Sequence, residues 1–290
     1  MKNKYILIFI GFLCAYNISV FAQETPQTED KVPNWFSNNA NIVWGQNTRY
    51  GPQKVNNLYL EYELMGRQGV FDFYGYVDLP KTFGAGKNIQ GIWDKDGAKA
   101  FADLQARMSI NGLLGKGRNN SFLKEYFIAT NYIGNFGSSS DYQSAHSLWY
   151  GLGTTVNTYS KFNLDVNFYL RKTFTNYGSG NEHSWKGYRV KLNWNYPICS
   201  LFNGDGGLTY IGFGDYDFGL DKRPQILPSE DIGSNDALTV SNVIDISYKR
   251  FHCSAVSRYW YHGGENRYNG GSMPVRTNGW GYYIVAGIKL

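Results

Sequence analysis

At 290 residues, with 28 basic and 23 acidic side chains for a formal net charge of +5, the chain carries too small a surplus to mark a polyanion partner. Three cysteines are too few for a disulfide framework. Beyond the N-terminal segment no apolar run approaches the ~18 residues of a spanning helix, so a mature chain integral to a membrane must close into a barrel.

The chain opens on a secretion signal. Lys2 and Lys4 precede the apolar run from Tyr5 to Ala15, and Val20-Phe21-Ala22 supplies a cleavage site before Gln23. Cys14 does not make a lipoprotein signal, because bulky Leu13 stands where a lipobox needs a small residue. The expected organisation is a signal peptide over residues 1–22 and one β-barrel domain over 23–290, with a disordered leader from Gln23 to about Val32. Loss of Lys2 and Lys4 lowers the 28 basic residues to 26 against 23 acidic, a formal balance of +3, and leaves Cys199 and Cys253, both expected as free thiols. Secretion without a spanning helix places the mature chain in a Gram-negative-type outer membrane as an integral barrel.

Alternation and turn signals predict about twelve antiparallel strands, an all-β transmembrane barrel, with starts near Asn41, Asn57, Val70, Phe101, Lys124, Ser147, Lys161, Trp185, Gly207, Leu238, Phe251 and Trp280. The clearest pair runs from Phe162 to Tyr196. Phe162, Leu164, Val166, Phe168 and Leu170 alternate with Asn163, Asp165, Asn167, Tyr169 and Arg171, and Tyr188, Val190, Leu192, Trp194 and Tyr196 alternate with Arg189, Lys191, Asn193 and Asn195. Successive side chains on a strand point to opposite faces, so one face is apolar and the other wet. These runs reach the ~9 to 11 residues that a tilted strand needs to cross a bilayer. Connections alternate in length. Short ones such as Tyr159-Ser160 and Lys249-Arg250 belong at the periplasmic rim, and long ones, from Leu79 to Ala100, Leu220 to Asp236 and His262 to Asn278, belong outside.

The alternation sorts the aromatic residues into two sets. Phe71, Phe73, Tyr126, Tyr188, Trp194, Phe251, Tyr259, Trp280 and Tyr282 fall on the lipid face, as girdle residues do. Tyr59, Tyr74, Tyr76, Phe127, Tyr169, Trp260 and Tyr283 fall on the lumen face, where they offer stacking surfaces to flat solutes. Inward positions also hold Arg49, Glu61, Glu63, Asp72, Asp78, Asp103, Arg107, Asp165, Arg171, Arg189, Asp215, Asp245 and Arg258. A pore for ions concentrates one sign in a ring, whereas interspersed signs cancel the field and leave hydrogen-bonding groups for a neutral polar solute.

Several segments carry a resemblance to a known family: Asn47-Thr48-Arg49-Tyr50-Gly51-Pro52-Gln53, Tyr59-Leu60-Glu61-Tyr62-Glu63, Phe71-Asp72-Phe73-Tyr74-Gly75-Tyr76-Val77-Asp78, Gly91-Ile92-Trp93, Leu208-Thr209-Tyr210-Ile211-Gly212-Phe213, Ser257-Arg258-Tyr259-Trp260 and Thr277-Asn278-Gly279-Trp280-Gly281. In this order, over about Trp35 to Leu290, the chain resembles the nucleoside-specific channel-forming porins, Tsx, of Gram-negative outer membranes. The resemblance implies a monomeric twelve-stranded barrel with a narrow lumen, diffusion of nucleosides and deoxynucleosides, use as a receptor by phages or colicins, and neither catalytic residues nor cofactor. By position it marks Arg49 and Tyr50 at the first outer loop, Glu61 on the second strand, Asp78 at the top of the third and Phe83 after it as nucleoside contacts. Tyr59, Tyr76, Arg171, Arg189 and Arg258 complete the candidate set by their inward phase. The chain departs from the family pattern at Thr82-Phe83, where paired phenylalanines are expected, and at Tyr50, where a phenylalanine is usual.

Three other readings compete. An outer-membrane lipid hydrolase would use the His-x-Ser pair His252 and Ser254, but both share the lumen phase beside the turn Lys249-Arg250, and no orienting Asp or Asn is evident in the sequence. A general small-solute porin would share the barrel without the selectivity, and a structural barrel would have a plugged interior. His146, His183 and His262 fall in or beside outer loops without metal-ligand spacing.

Overall fold

The computed structural model describes residues 32–49, 54–80, 82–83, 99–136, 144–176, 181–220, 234–263 and 278–290; the segment read as signal peptide and leader, up to residue 31, lies outside them, as does Tyr50. Twelve strands form one closed antiparallel barrel in which each pairs with its neighbours in sequence and the last returns to the first. They are β1 (Trp35–Thr48), β2 (Val55–Gln68), β3 (Phe71–Leu79), β4 (Ala100–Ser109), β5 (Leu123–Phe136), β6 (Ala145–Val156), β7 (Asn163–Asn176), β8 (Tyr188–Leu201), β9 (Gly206–Phe218), β10 (Asp236–Tyr248), β11 (Phe251–Tyr261) and β12 (Gly279–Lys289). Closure leaves no sheet edge, which is the condition for strands to cross a bilayer.

The barrel is inverted relative to a water-soluble domain. Asn41 on the inner face is 2% exposed, while its outward neighbour Trp44 is 48% exposed, and the same contrast separates Asn131 from Ile128 and Ser241 from Ile244. Many of the exposed apolar residues on the strands form the lipid-facing set. Phe71, Tyr126, Tyr188, Phe251, Trp280 and Tyr282 all lie there.

The predicted starts agree with the strands within a few residues, with two instructive differences. β1 begins at Trp35 rather than near Asn41. The run Asn38-Asn39-Ala40-Asn41 reads as loop, but Asn39 and Asn41 face a wet lumen, where they donate to Glu63 Oε2 and Glu61 Oε1 at 2.8 and 2.9 Å. β8 begins at Tyr188 rather than Trp185, because Gly187 takes a left-handed φ of 103° that ends extended pairing. Cys199 sits within β8, where the register shifts between Pro197 and Cys199, so a bulge absorbs the proline that cannot donate to the ladder.

One end carries the two-residue turns 69–70 and 249–250 and the short connections 157–162 and 202–205, but also the longer connection 110–122, which departs from the expected alternation. The β4–β5 connection at this end contains the single turn of helix α1 (Ile110–Leu113), whose first turn is capped by Ser109 Oγ accepting from Gly112 N at 3.0 Å. The other end carries the longer connections, among them 80–99, 219–235 and 262–278.

Candidate functional site

The lumen holds a cavity of about 1080 Å³ that reaches from the short-turn end, where Trp35, Lys249 and Lys289 border it, up to Tyr59, Asp78, Arg189 and Trp260. Its lower wall is a network of buried charge. Arg67 on β2 donates to both oxygens of Glu125 on β5, at 2.5 and 3.0 Å, and Glu125 also accepts from Ser109 Oγ at 2.6 Å and Arg118 Nε at 2.8 Å. Asp72 joins Arg67 and Arg107 at 3.2 and 2.8 Å, and Arg107 continues to Asp165 at 3.0 Å. These side chains cover β2 to β7 on one side of the barrel. Nearly every charge is matched, which is the condition for keeping ions in a confined space.

A second polar chain climbs the adjoining wall. Register places His252, Gly287, Asn41, Glu61 and Asp78 in one row across β11, β12, β1, β2 and β3. His252 is the second residue of β11, at the short-turn end, and Asp78 is the next-to-last of β3, at the other end. Strands in a closed barrel tilt and stagger, so a row across them rises along the axis. Asn41 Nδ2 donates to Glu61, so its Oδ1 is an acceptor, and His252 Nε2, 3.0 Å away, donates to it. His252 Nδ1 lies 3.2 Å from Asp245 Oδ1, the oxygen to which Ser254 Oγ donates at 2.6 Å. Asp245 is therefore the orienting carboxylate that the sequence reading did not find. It binds the serine and the histidine separately, so no nucleophile–base bond links the two.

The upper lumen brings together Glu61, Asp78, Tyr59, Tyr76 and Arg258. Glu61 and Asp78 oppose one another directly, and both lie within electrostatic reach of Arg258. Asp78 is 4% exposed, and its Oδ1 has no hydrogen-bond partner among the described residues. Arg258 donates from Nε to Ser241 Oγ at 2.7 Å, with Phe213, Tyr283 and Trp260 rings 5.1, 5.2 and 5.7 Å from its guanidinium carbon. Tyr59 packs with Val43, Trp260 and Tyr283, and Tyr76 lies 6.3 and 6.2 Å from the rings of Tyr74 and Phe101. Flat apolar faces thus stand beside hydrogen-bonding acids and one caged cation.

The remaining candidates are placed differently. Arg189 borders the cavity but is held by Asp217 through two bonds of 2.6 and 2.8 Å and stacks over Trp149 at 4.1 Å. Arg171 points inward, yet it lies behind the cavity wall, donating to the Lys186 carbonyl at 3.0 Å and lying 5.4 Å from Trp149. Arg49 follows β1 and rests against Gly279, where any Cβ would come within 2.4 Å of its guanidinium. Phe83, in the turn after β3, is 45% exposed and does not border the cavity. Tyr50, the other aromatic contact expected on an outer loop, lies outside the described residues.

Sequence reasoning missed Arg67, Glu125, Asp217, Trp149 and Phe213, all of which face the lumen. Phase alone identifies them. Trp149 alternates with Leu148 and Tyr150, and Asp217 with Tyr216 and Phe218, but a tryptophan between two apolar residues hides the alternation.

Residues 32–290 match the profile of the family described as nucleoside-specific channel-forming protein, Tsx. The nucleoside-specific channel-forming protein Tsx of Escherichia coli O157:H7 is 34% identical over 286 residues, 95% of each chain. That of Salmonella typhimurium is 34% identical over 298 residues with both chains fully covered. Outer membrane protein OmpK of Vibrio parahaemolyticus is 31% identical over 176 residues, 59% of this chain and 61% of its own. A twelve-stranded barrel that matches this family over nearly all its length belongs to the nucleoside-specific channel-forming protein family, Tsx, of the outer membrane.

Proposed function

We propose that the chain is a diffusion channel for nucleosides and deoxynucleosides, held as a monomer in outer-membrane lipid after loss of residues 1–22. The observation that carries this reading is the upper lumen, where the aromatic residues Tyr59, Tyr76 and Trp260 border the cavity together with Glu61, Asp78 and Arg258. A nucleobase can stack on such rings, an interaction worth ~1 to 3 kcal/mol per base in nucleic-acid complexes. Ribose hydroxyls can donate to Glu61 and Asp78, both of which border the cavity. Binding is weak, because a channel that holds its solute tightly cannot release it. The short-turn end faces the periplasm and the longer connections face outward, where phages or colicins could use them as a receptor.

The lipid-hydrolase reading is disfavoured by the inward position of His252 and Ser254 and by their separate bonds to Asp245. The channel works by binding and diffusion, without catalysis or cofactor. A general small-solute porin differs in selectivity. Proteoliposomes separate the two: uptake of thymidine or adenosine exceeds that of glucose or serine for the nucleoside channel, and equal rates for all four establish the general porin.

A further inference from the structure

Leu220, two residues beyond the end of β9, is 6% exposed and packs into the barrel against Ala129, Trp149 and Tyr169 on β5, β6 and β7. To reach them from β9 it must cross the start of β8, and Gly187 clears the way: a Cβ there would lie 2.8 Å from Leu220 Cδ2. The main chain at Leu220 is held by its N–H donating to Asn235 O at 3.0 Å, so the side chain is fixed at its base as well as its tip.

Its seat is rigid. Trp149 is flanked by Arg189 at 4.1 Å and Arg171 at 5.4 Å, and those guanidiniums are themselves held by Asp217 and by the Lys186 carbonyl. Neither Leu220 nor Trp149 nor Tyr169 borders the cavity, whereas Arg189 does. The cavity thus extends towards Glu61, Asp78 and Arg258, while Leu220, Trp149 and Tyr169 stand back from it behind Arg189. An aliphatic group packed on inward residues of three neighbouring strands fills lumen cross-section without offering a hydrogen bond to a passing solute.

We infer that Leu220 is a size-determining residue of the channel, an apolar strut that closes one side of the lumen and confines solutes to the side lined by Glu61, Asp78 and Arg258. The inference rests on the channel reading above but not on which solute the channel prefers. Because Trp149 is clamped, trimming Leu220 leaves an opening rather than a collapsed wall.

The test compares wild-type protein with Leu220→Ala and Leu220→Met in proteoliposome swelling with arabinose, sucrose and raffinose, alongside single-channel conductance in potassium chloride. The expected result is a raffinose-to-arabinose rate ratio at least threefold higher for Leu220→Ala, with larger conductance, and a ratio within twofold of wild type for Leu220→Met. If the alanine variant yields no heat-modifiable barrel, Leu220→Val gives the same comparison with a smaller rise. An unchanged ratio in a folded Ala or Val variant overturns the inference. Failure of nucleoside preference appears separately, as equal thymidine and glucose uptake by wild type, and leaves the sugar comparison intact; if no protein passes any solute, both readings fall.

Discussion

His252 and Asn41 are joined across β12, Nε2 to Oδ1 at 3.0 Å, over the position where Gly287 has no side chain. A Cβ on Gly287 would lie 2.1 Å from each of those two atoms, closer than any real contact allows. Gly287→Ala must therefore separate them, and with them the link from Asp245 to Glu61. Loss of a buried hydrogen bond between polar groups costs about 1 to 3 kcal/mol. The expected outcome is a lower temperature for the heat-induced mobility shift of the folded barrel, measured against Gly207→Ala. A Cβ at Gly207 meets only Cys199 O at 3.5 Å, an ordinary contact. Equal temperatures for the two variants would refute the linkage.

The opposed carboxyls of Glu61 and Asp78 give a second prediction. Asp78→Ala removes an acceptor in the upper lumen while leaving the Asn41–Glu61 bond in place. Nucleoside-dependent block of single-channel current should weaken about tenfold, on the order of 1.4 kcal/mol, with salt conductance and barrel folding nearly unchanged. Phe83, exposed and away from the cavity, marks the contrast: Phe83→Ala should change the lumen affinity by less than about threefold. Titration of block with thymidine on both variants measures the difference. Wild-type affinity in folded Asp78→Ala protein would remove Asp78 from the site.

Stability should be most sensitive at the lower network. Arg67 supplies two of the bonds to Glu125, a side chain 2% exposed, and Arg118 and Ser109 supply the others. Arg67→Ala strands Glu125 and Asp72 with fewer partners, and breaking a buried pair from one side costs ~3 to 5 kcal/mol. Urea unfolding in detergent micelles should show a lower midpoint for Arg67→Ala, with partial recovery in the double variant Arg67→Ala, Glu125→Gln, which removes the buried charge along with its partner. A double variant less stable than Arg67→Ala would show that Glu125 does not depend on Arg67.

The barrel was legible because lipid and water impose a two-residue period that no other constraint obscures. Phe162 to Tyr196 displayed it over two strands, and the two-residue turn at Lys249-Arg250 fixed their phase at a further hairpin. It was least legible where the inner face breaks its own rule. Trp149, apolar yet inward, serves as a platform for two arginines, and the polar start of β1 is strand because Asn39 and Asn41 have acids opposite them. Which inward charges remain available to a solute could not be read from phase. Arg171, Arg189 and Arg258 look alike in sequence, and only their partners separate a wall contact, a bidentate ion pair and a cation among aromatic rings.

The two mature cysteines give the last prediction. Cys199 lies on β8 and Cys253 on β11, each exposed and each unbonded to the other, and β9 and β10 stand between them. Neighbouring strands are spaced ~4.8 Å apart, so three steps around the wall separate the two strands by roughly 14 Å of arc, well beyond the ~7 Å that a disulfide can bridge between Cα atoms. Opening the barrel to join them would break two complete ladders, a cost that no disulfide recovers. Intact folded protein treated with an alkylating reagent in detergent, without reductant, should therefore gain two adducts. The same mass measurement reads the N-terminus, with Gln23 expected as the first residue. One adduct before reduction, rising to two after it, would show that one thiol is oxidised in the folded barrel, and none rising to two would show that both are; either outcome overturns the prediction.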